Sequence, residues 1–215
     1  MPLAKYHAKR DFDITPEPHG SGKMSGGHEL TFVVQKHQAS HLHYDFRLEW
    51  NGVLLSWAVP KGPSLDPSVK RLAMAVEDHP LEYGGFEGVI PEGQYGGGTV
   101  MVWDRGTWEP EPESADVDAA LGSGELKFTL HGTKLKGSWV LIRTKFGGAR
   151  SSWLLLKHKD RFASAEDVVA AKPKSVLSKK LMAQIAKTAG GGVARAAKAD
   201  PTRSAAERDE KETEA

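Results

Sequence analysis

The sequence of 215 residues contains no cysteine. This excludes a disulfide framework and any thiolate metal site, and it leaves histidine, aspartate and glutamate as the strong metal ligands. No stretch approaches the roughly 18 apolar residues of a membrane span, and the opening MPLAKYHAKRDFDITPEPHG lacks the apolar centre of a secretory signal. These absences predict a soluble, cytoplasmic protein. An excess of either charge is missing too: 29 Lys and Arg face 28 Asp and Glu, for a net charge of +1. A case for nucleic acid therefore has to come from local patches, not from the global field. The P-loop pattern GxxxxGK[ST] is also absent, and helical periodicity is nowhere sustained.

What is present, at 39% hydrophobic residues, is enough to bury one substantial core. Between Leu30 and about Lys159 the chain runs in short stretches of β-branched and aromatic residues broken by Gly and Pro, the signature of an antiparallel sandwich or barrel. The pattern predicts strands at Leu30–Lys36, Leu42–Trp50, Val53–Val59, Arg71–Glu77, Gly98–Arg105, Glu125–Leu130, Lys136–Arg143 and Ser152–Lys157. Asn51-Gly52 supplies the positive φ angles of a two-residue hairpin turn between the second and third. Short peripheral helices are predicted at Asp116–Leu121 and Ala163–Ala171.

The densest chemistry lies in Gln35–Glu49, QKHQASHLHYDFRLE. On a strand, His41, His43, Asp45, Arg47 and Glu49 share one face, and Leu42, Tyr44, Phe46, Leu48 and Trp50 share the other. Two imidazoles and a carboxylate suit Mn, Fe, Co or Zn. The planar fork of Arg47, two residues beyond Asp45, suits a phosphate held by such an ion. The same pattern also fits the solvated face of a half-buried strand.

Ala58–Gly88 adds Lys61 on a rigid turn, Arg71 at a strand start, and the cluster Glu77, Asp78 and His79 with Tyr83 four residues on. A histidine there can orient or protonate a leaving oxygen, and a tyrosine can hydrogen-bond a phosphate. Phe86–Gly106 is a glycine-rich loop feeding a strand, which suits either a phosphate-facing loop or a plain hairpin. Residues 1–29 read as a flexible arm, poorly ordered or packed loosely across the core, with His7, His19 and His28 as bystanders. Residues 161–189 read as a peripheral helical extension in which SVLSKKLMAQIAK forms a basic amphipathic helix, and 190–215 as a disordered tail, basic and then acidic. Its basic part can hold nucleic acid non-specifically or simply solubilise the chain.

Taken together, FVVQKHQASHLHYDFRLEWNGVLLSWAVPKGPS and RLAMAVEDHPLEYGGFEGVIPEGQYGGGTVMVWDRG closely resemble the 3′-phosphoesterase module of bacterial DNA ligase D. The likeness covers about residues 30–160, and KPKSVLSKKLMAQIA resembles the segment that follows the module. The resemblance implies a compact antiparallel β-barrel of about eight strands, a stand-alone version of the module, and a manganese-dependent hydrolase that heals 3′ DNA ends. It implies removal of a 3′-terminal ribonucleoside and then of the 3′-phosphate, with Co²⁺ and other divalent transition metals as alternatives to Mn²⁺. It places His37, His43 and Asp45 on the metal, and Arg47, His79 and Tyr83 at the scissile phosphate or leaving group. Gln35, Lys61, Arg71 and Glu77 are implied as supporting phosphate or substrate contacts. The implied setting is a nucleoid-associated monomer acting on DNA or RNA–DNA 3′ ends at primer–template junctions, alongside end-joining proteins such as Ku and a separate ligase or polymerase. Two other readings stand beside it. His43-x-Asp45 with a later His79 or His131 matches the 2-His-1-carboxylate triad of non-haem Fe(II) oxygenases, and a non-catalytic DNA-repair binding module would recruit partners through the tail.

Overall fold

The computed structural model describes residues 3–20, 29–144 and 152–201. Nine strands form one antiparallel sheet: β1 (Thr31–Gln38), β2 (Leu42–Trp50), β3 (Val53–Val59), β4 (Arg71–Ala75), β5 (Gly88–Ile90), β6 (Gly98–Pro110), β7 (Glu125–Gly132), β8 (Lys136–Arg143) and β9 (Ser152–Lys157). They pair in the order β1-β2-β3-β4-β9-β8-β7-β6-β5, and pairing of β1 with β6 closes eight of them into a barrel with β5 as an extra strand. The expected barrel is therefore present. The short β5 was not foreseen, and β6 runs five residues past the expected Arg105 to Pro110.

Alternation dictates which face goes in. From β1 and β2, Phe32, Val34, Tyr44, Phe46 and Leu48 join Phe128, Trp139 and Trp153 in the main core. The Phe46 and Phe128 rings stand 5.8 Å apart across it. Each such side chain removed from water contributes roughly 1.5–3 kcal/mol. The β2–β3 hairpin turns on Asn51 at φ 48° and Gly52 at φ 79°, as a two-residue primed turn requires. Between Val34 and Gln35 the β1–β6 register slips, so that Val34 faces Asp104 and Gln35 faces Val102. This bulge leaves Trp103 as the extra residue on β6, opposite the point on β1 where the site begins.

Among the described residues, five short helices surround the barrel: α1 (Ala4–Ala8), α2 (Val117–Ser123), α3 (Val168–Ala171), α4 (Met182–Thr188) and α5 (Val193–Ala197). Asp116 caps α2 by accepting from Ala119 N, and Gly124 ends it at φ 92°. The predicted Ala163–Ala171 helix is shorter, starting after Asp167, whose carboxylate accepts from the amides of Val169 and Ala170. Only the second half of the predicted basic helix is helical, as α4.

The described residues of both end segments pack more closely than the sequence reading expected. Where an arm or loosely packed segment was expected, residues 3–20 lie tightly on the outer face of the barrel, with Tyr6 fully buried. Tyr6 packs with Val33, Leu54, Tyr83 and Val102 in a second apolar cluster on that face. Where a peripheral extension and a disordered tail were expected, Val168, Met182, Ile185, Ala186 and Ala196 enter the main core. The Asp200 carboxylate accepts from the amides of Met182 and Ala183 at the start of α4, and buried Lys36 donates to Ala199 O. His28, Arg203 and the acidic end lie outside the described residues. Among the described residues no helix is long and apolar enough to cross a membrane.

Candidate active site

The outer faces of β1, β2 and β3 carry a polar cleft, with the segments 3–20 and 76–96 standing around it. Its lining includes His37, His43, Asp45, Arg47, His79 and Tyr83 from the sequence-predicted set. This explains why β2 is buried on both faces, contrary to a half-solvated strand. The inward face meets the core, and the outward face meets these crossing segments.

His37, His43 and Asp45 present one donor atom each, all within 4.8 Å of one another. His37 Nδ1 and His43 Nε2 each lie 3.6 Å from an Asp45 carboxylate oxygen. The other nitrogen of each ring is committed to a backbone carbonyl: His37 Nε2 to Gly96 O at 2.8 Å, and His43 Nδ1 to His41 O at 3.0 Å. A carbonyl can only accept, so those nitrogens carry protons, and the opposite nitrogens, which face Asp45, are the ones available to a metal. Burial pushes the His43 imidazole towards its neutral form. Burial would raise Asp45 as well, but Arg47, His37 and His43 outweigh it and hold the carboxyl well below the usual range. Two imidazoles and a carboxylate anion, with the rings oriented from behind, fit a divalent transition metal. A pairing of His43 and Asp45 with a later histidine is not what the fold assembles. His131 sits half exposed against Glu109, and His79 faces Arg10.

Arg47 is 2% exposed, and its three nitrogens have separate partners. Nε donates to Gln35 Oε1 at 2.8 Å, Nη1 to Ser56 Oγ at 2.7 Å, and Nη2 stands 3.1 Å from Asp45. The Tyr83 ring lies 4.9 Å from the guanidinium carbon. Burial keeps the Tyr83 phenol protonated. Gln35 is fixed in turn, since its amide donates to the carbonyls of Tyr83 and Phe86 at 2.9 Å.

His79 donates from Nδ1 to Glu77 O and accepts at Nε2 from Arg10 Nη2 at 3.2 Å. Burial, Arg47 and Arg10 together push its pKa well below the usual histidine value. Glu77 takes Lys9 at 3.0 Å and Arg10 at 3.5 Å.

The sequence reading missed the N-terminal contribution. Arg10 packs 3.8 Å over the Tyr6 ring and pairs with the buried Glu17 at 2.9 Å, and Thr15 donates to that same carboxylate. No local signal marked it: in KRDFDITPEP the apolar Ile14 is exposed while Thr15 and Glu17 are buried. Ser56 and Gly96 were missed as well. Lys61 and Arg71, expected as phosphate contacts, do not line the cleft: Lys61 is exposed on the turn after β3, and Arg71 shares the inward face of β4 with buried Ala73.

Residues 35–143 match the DNA ligase D 3′-phosphoesterase domain family. Over 186 residues the chain is 55% identical to the multifunctional non-homologous end joining protein LigD of Pseudomonas aeruginosa, covering 84% of this chain and 22% of that protein. It is 49% identical over 142 residues to the multifunctional non-homologous end joining DNA repair protein LigD of Mycobacterium tuberculosis, covering 66% and 18%. The corresponding LigD of Mycolicibacterium smegmatis is 43% identical over 163 residues, covering 74% and 21%. The chain thus spans about a fifth of the length of these relatives.

Proposed function

The chain belongs to the DNA ligase D 3′-phosphoesterase domain family, and from that membership we propose that it is a metal-dependent hydrolase that heals the 3′ ends of DNA. It removes a 3′-terminal ribonucleoside to leave a 3′-phosphate, and then removes that phosphate to leave a 3′-hydroxyl fit for extension or sealing. The observation that carries this reading is the convergence of three metal-ligating atoms beside a buried, triply anchored guanidinium.

In this reading His37 Nδ1, His43 Nε2 and Asp45 hold a divalent ion, Mn²⁺ foremost with Co²⁺ as an alternative. Such an ion, when bound, polarises a phosphoryl oxygen and makes a water more acidic. Arg47 lies at the edge of the donor set and neutralises charge growing on the phosphoryl oxygens. Gln35 and Ser56 fix the direction of that guanidinium, so it has little freedom to lose when substrate binds. Tyr83 supplies the face beneath Arg47.

His79 is the proton donor to the leaving oxygen. As found, its Nε2 accepts from Arg10 and carries no proton. A phosphate gives Arg10 a stronger acceptor, and its negative charge favours the imidazolium. Nε2 is then free to carry a proton and pass it to the oxygen that departs. Glu77 holds Lys9 and Arg10 at this end of the cleft.

The test is a 5′-labelled primer–template ending in one ribonucleotide, incubated with the protein and Mn²⁺. The expected products are a shortened strand with a 3′-phosphate and then one with a 3′-hydroxyl. An unchanged strand with folded, metal-loaded protein would overturn the reading.

A further inference from the structure

The glycine-rich loop between β5 and β6 holds a side chain that the roles above leave unused. Tyr95 lines the cleft, yet it is 48% exposed, which is unusual for a large aromatic in a built site. The loop around it is a tight double turn, with Gln94 N bonded to Pro91 O and Gly97 N to Gln94 O. Gly93 and Gly96 take positive φ values of 86° and 74°. The next residue, Gly96, offers the carbonyl that fixes the His37 ring, so the tyrosine is set one residue from the metal-ligand scaffold. Lys9 holds the ring from the other side: its ammonium lies 3.0 Å from the Tyr95 hydroxyl and 3.0 Å from Glu77.

We infer that the exposed face of Tyr95 is the stacking platform for the base of the 3′-terminal nucleoside, the part of the strand that departs in the first step. The inference rests on the proposed function and adds to it the contact that recognises the leaving group. Every base has a π-face, so an exposed aromatic at a cleft mouth binds nucleosides with little regard to sequence. The shape of the cleft decides which nucleoside. At the Tyr95 edge, Lys9 and Arg10 stand 4.5 and 5.6 Å from the centre of the ring and Glu77 holds Lys9, so this end of the cleft is walled by charged side chains of the N-terminal segment. Ala39 and Gly96 are shared with a neighbouring groove that runs along the same loop and is lined by Ser40, Gln94, Gly97 and Arg195. The retained strand has its exit there, and the terminal nucleoside lies against Tyr95.

The contact belongs to nucleoside removal alone, because no base remains on the leaving side when the 3′-phosphate is hydrolysed. The experiment compares primer–templates ending in riboadenosine, in 1,4-anhydroribitol (which keeps the sugar hydroxyls and lacks the base), and in a 3′-phosphate. Wild type should favour the adenosine end over the baseless one by about tenfold in kcat/KM. Tyr95→Ala should erase that preference while leaving 3′-phosphate removal unchanged, and Tyr95→Phe should keep it. In a second arm, a terminal 2-aminopurine riboside is bound with chelator present, so no turnover occurs. Its fluorescence should be quenched by wild type and not by Tyr95→Ala. An unchanged preference in Tyr95→Ala, or an equal loss on all three ends, would overturn the inference and leave the proposed function standing. A wild type that processes none of the ends would overturn the proposed function, and the fluorescence arm then decides the base contact by itself.

Discussion

The Gln35 carboxamide oxygen accepts the Nε–H of Arg47 at 2.8 Å while its nitrogen donates to two backbone carbonyls. One amide thus ties a buried cation to the 3₁₀ turn that carries Tyr83. Gln35→Ala would take the acceptor from the buried Nε–H of Arg47 and the side-chain donor from the Phe86 carbonyl, while Tyr83 O keeps its bond from Phe86 N. The expected cost is about 2 kcal/mol of stability, read by denaturant unfolding, together with a fall in kcat. Gln35→Glu keeps the acceptor for Arg47 but loses the donors, so it should recover activity in part and stability less. Wild-type stability and turnover in Gln35→Ala would show that this tie is not needed.

Arg47 serves Gln35, Ser56 and Asp45 from three different nitrogens. An ammonium cannot reproduce that fork. Arg47→Lys should therefore lower kcat/KM on a 3′-phosphate end by about 10²-fold, close to the loss in Arg47→Ala. Activity of Arg47→Lys within a few-fold of wild type would mean that charge alone suffices.

Arg10 is one of the two guanidinium groups that hold the His79 pKa down, after burial itself. Arg10→Ala should raise the His79 midpoint, followed by NMR of the ring protons, and move the alkaline limb of the pH–rate profile to higher pH, since a proton donor is lost as pH rises through its pKa. Histidine titration identical to wild type would remove Arg10 from the electrostatics of the site.

Lys36 provides a pH test of how the C-terminal helices are held. Burial lowers its pKa to about 8 from 10.5, with Asp200 opposing the shift. Between those values the unfolded chain binds more protons than the folded one, so stability due to this group rises with pH. Below about pH 8 both states carry the charge, and the cost of burying it is constant. The stability of wild type relative to Lys36→Met should therefore improve by on the order of 3 kcal/mol between pH 8 and pH 10.5, measured by denaturant unfolding. A pH-independent difference would contradict the burial of a titrating ammonium.

The strands and the His43-x-Asp45 pair were legible because both are written locally. The alternation in LHYDFRLEW and the Asn51-Gly52 turn set β2 and β3 to the residue. The resemblance then put His37 with His43 and Asp45, and pairing of His37 with His43 across β1 and β2 brings it there. β5 escaped notice because three residues after a glycine give no countable alternation. The role of the first twenty residues was hidden for a different reason. Arg10 meets His79 across 69 positions of sequence, and a charged, proline-containing segment shows no periodicity until it is seen covering a sheet. Arg71 misled in the opposite sense: near His79 in sequence, it falls on the inward face of β4 by the same alternation that turns Asp45 and Arg47 outward.

The most direct measurement is calorimetric titration of Mn²⁺ into chelator-stripped wild type, His43→Ala and Asp45→Asn, with 3′-phosphate removal assayed on the same samples. The account predicts one strong site in wild type, activity that returns in proportion to its filling, and neither binding nor turnover in the two variants, whose circular dichroism matches wild type. Full turnover by the stripped protein, or undiminished binding and turnover in Asp45→Asn, would contradict it.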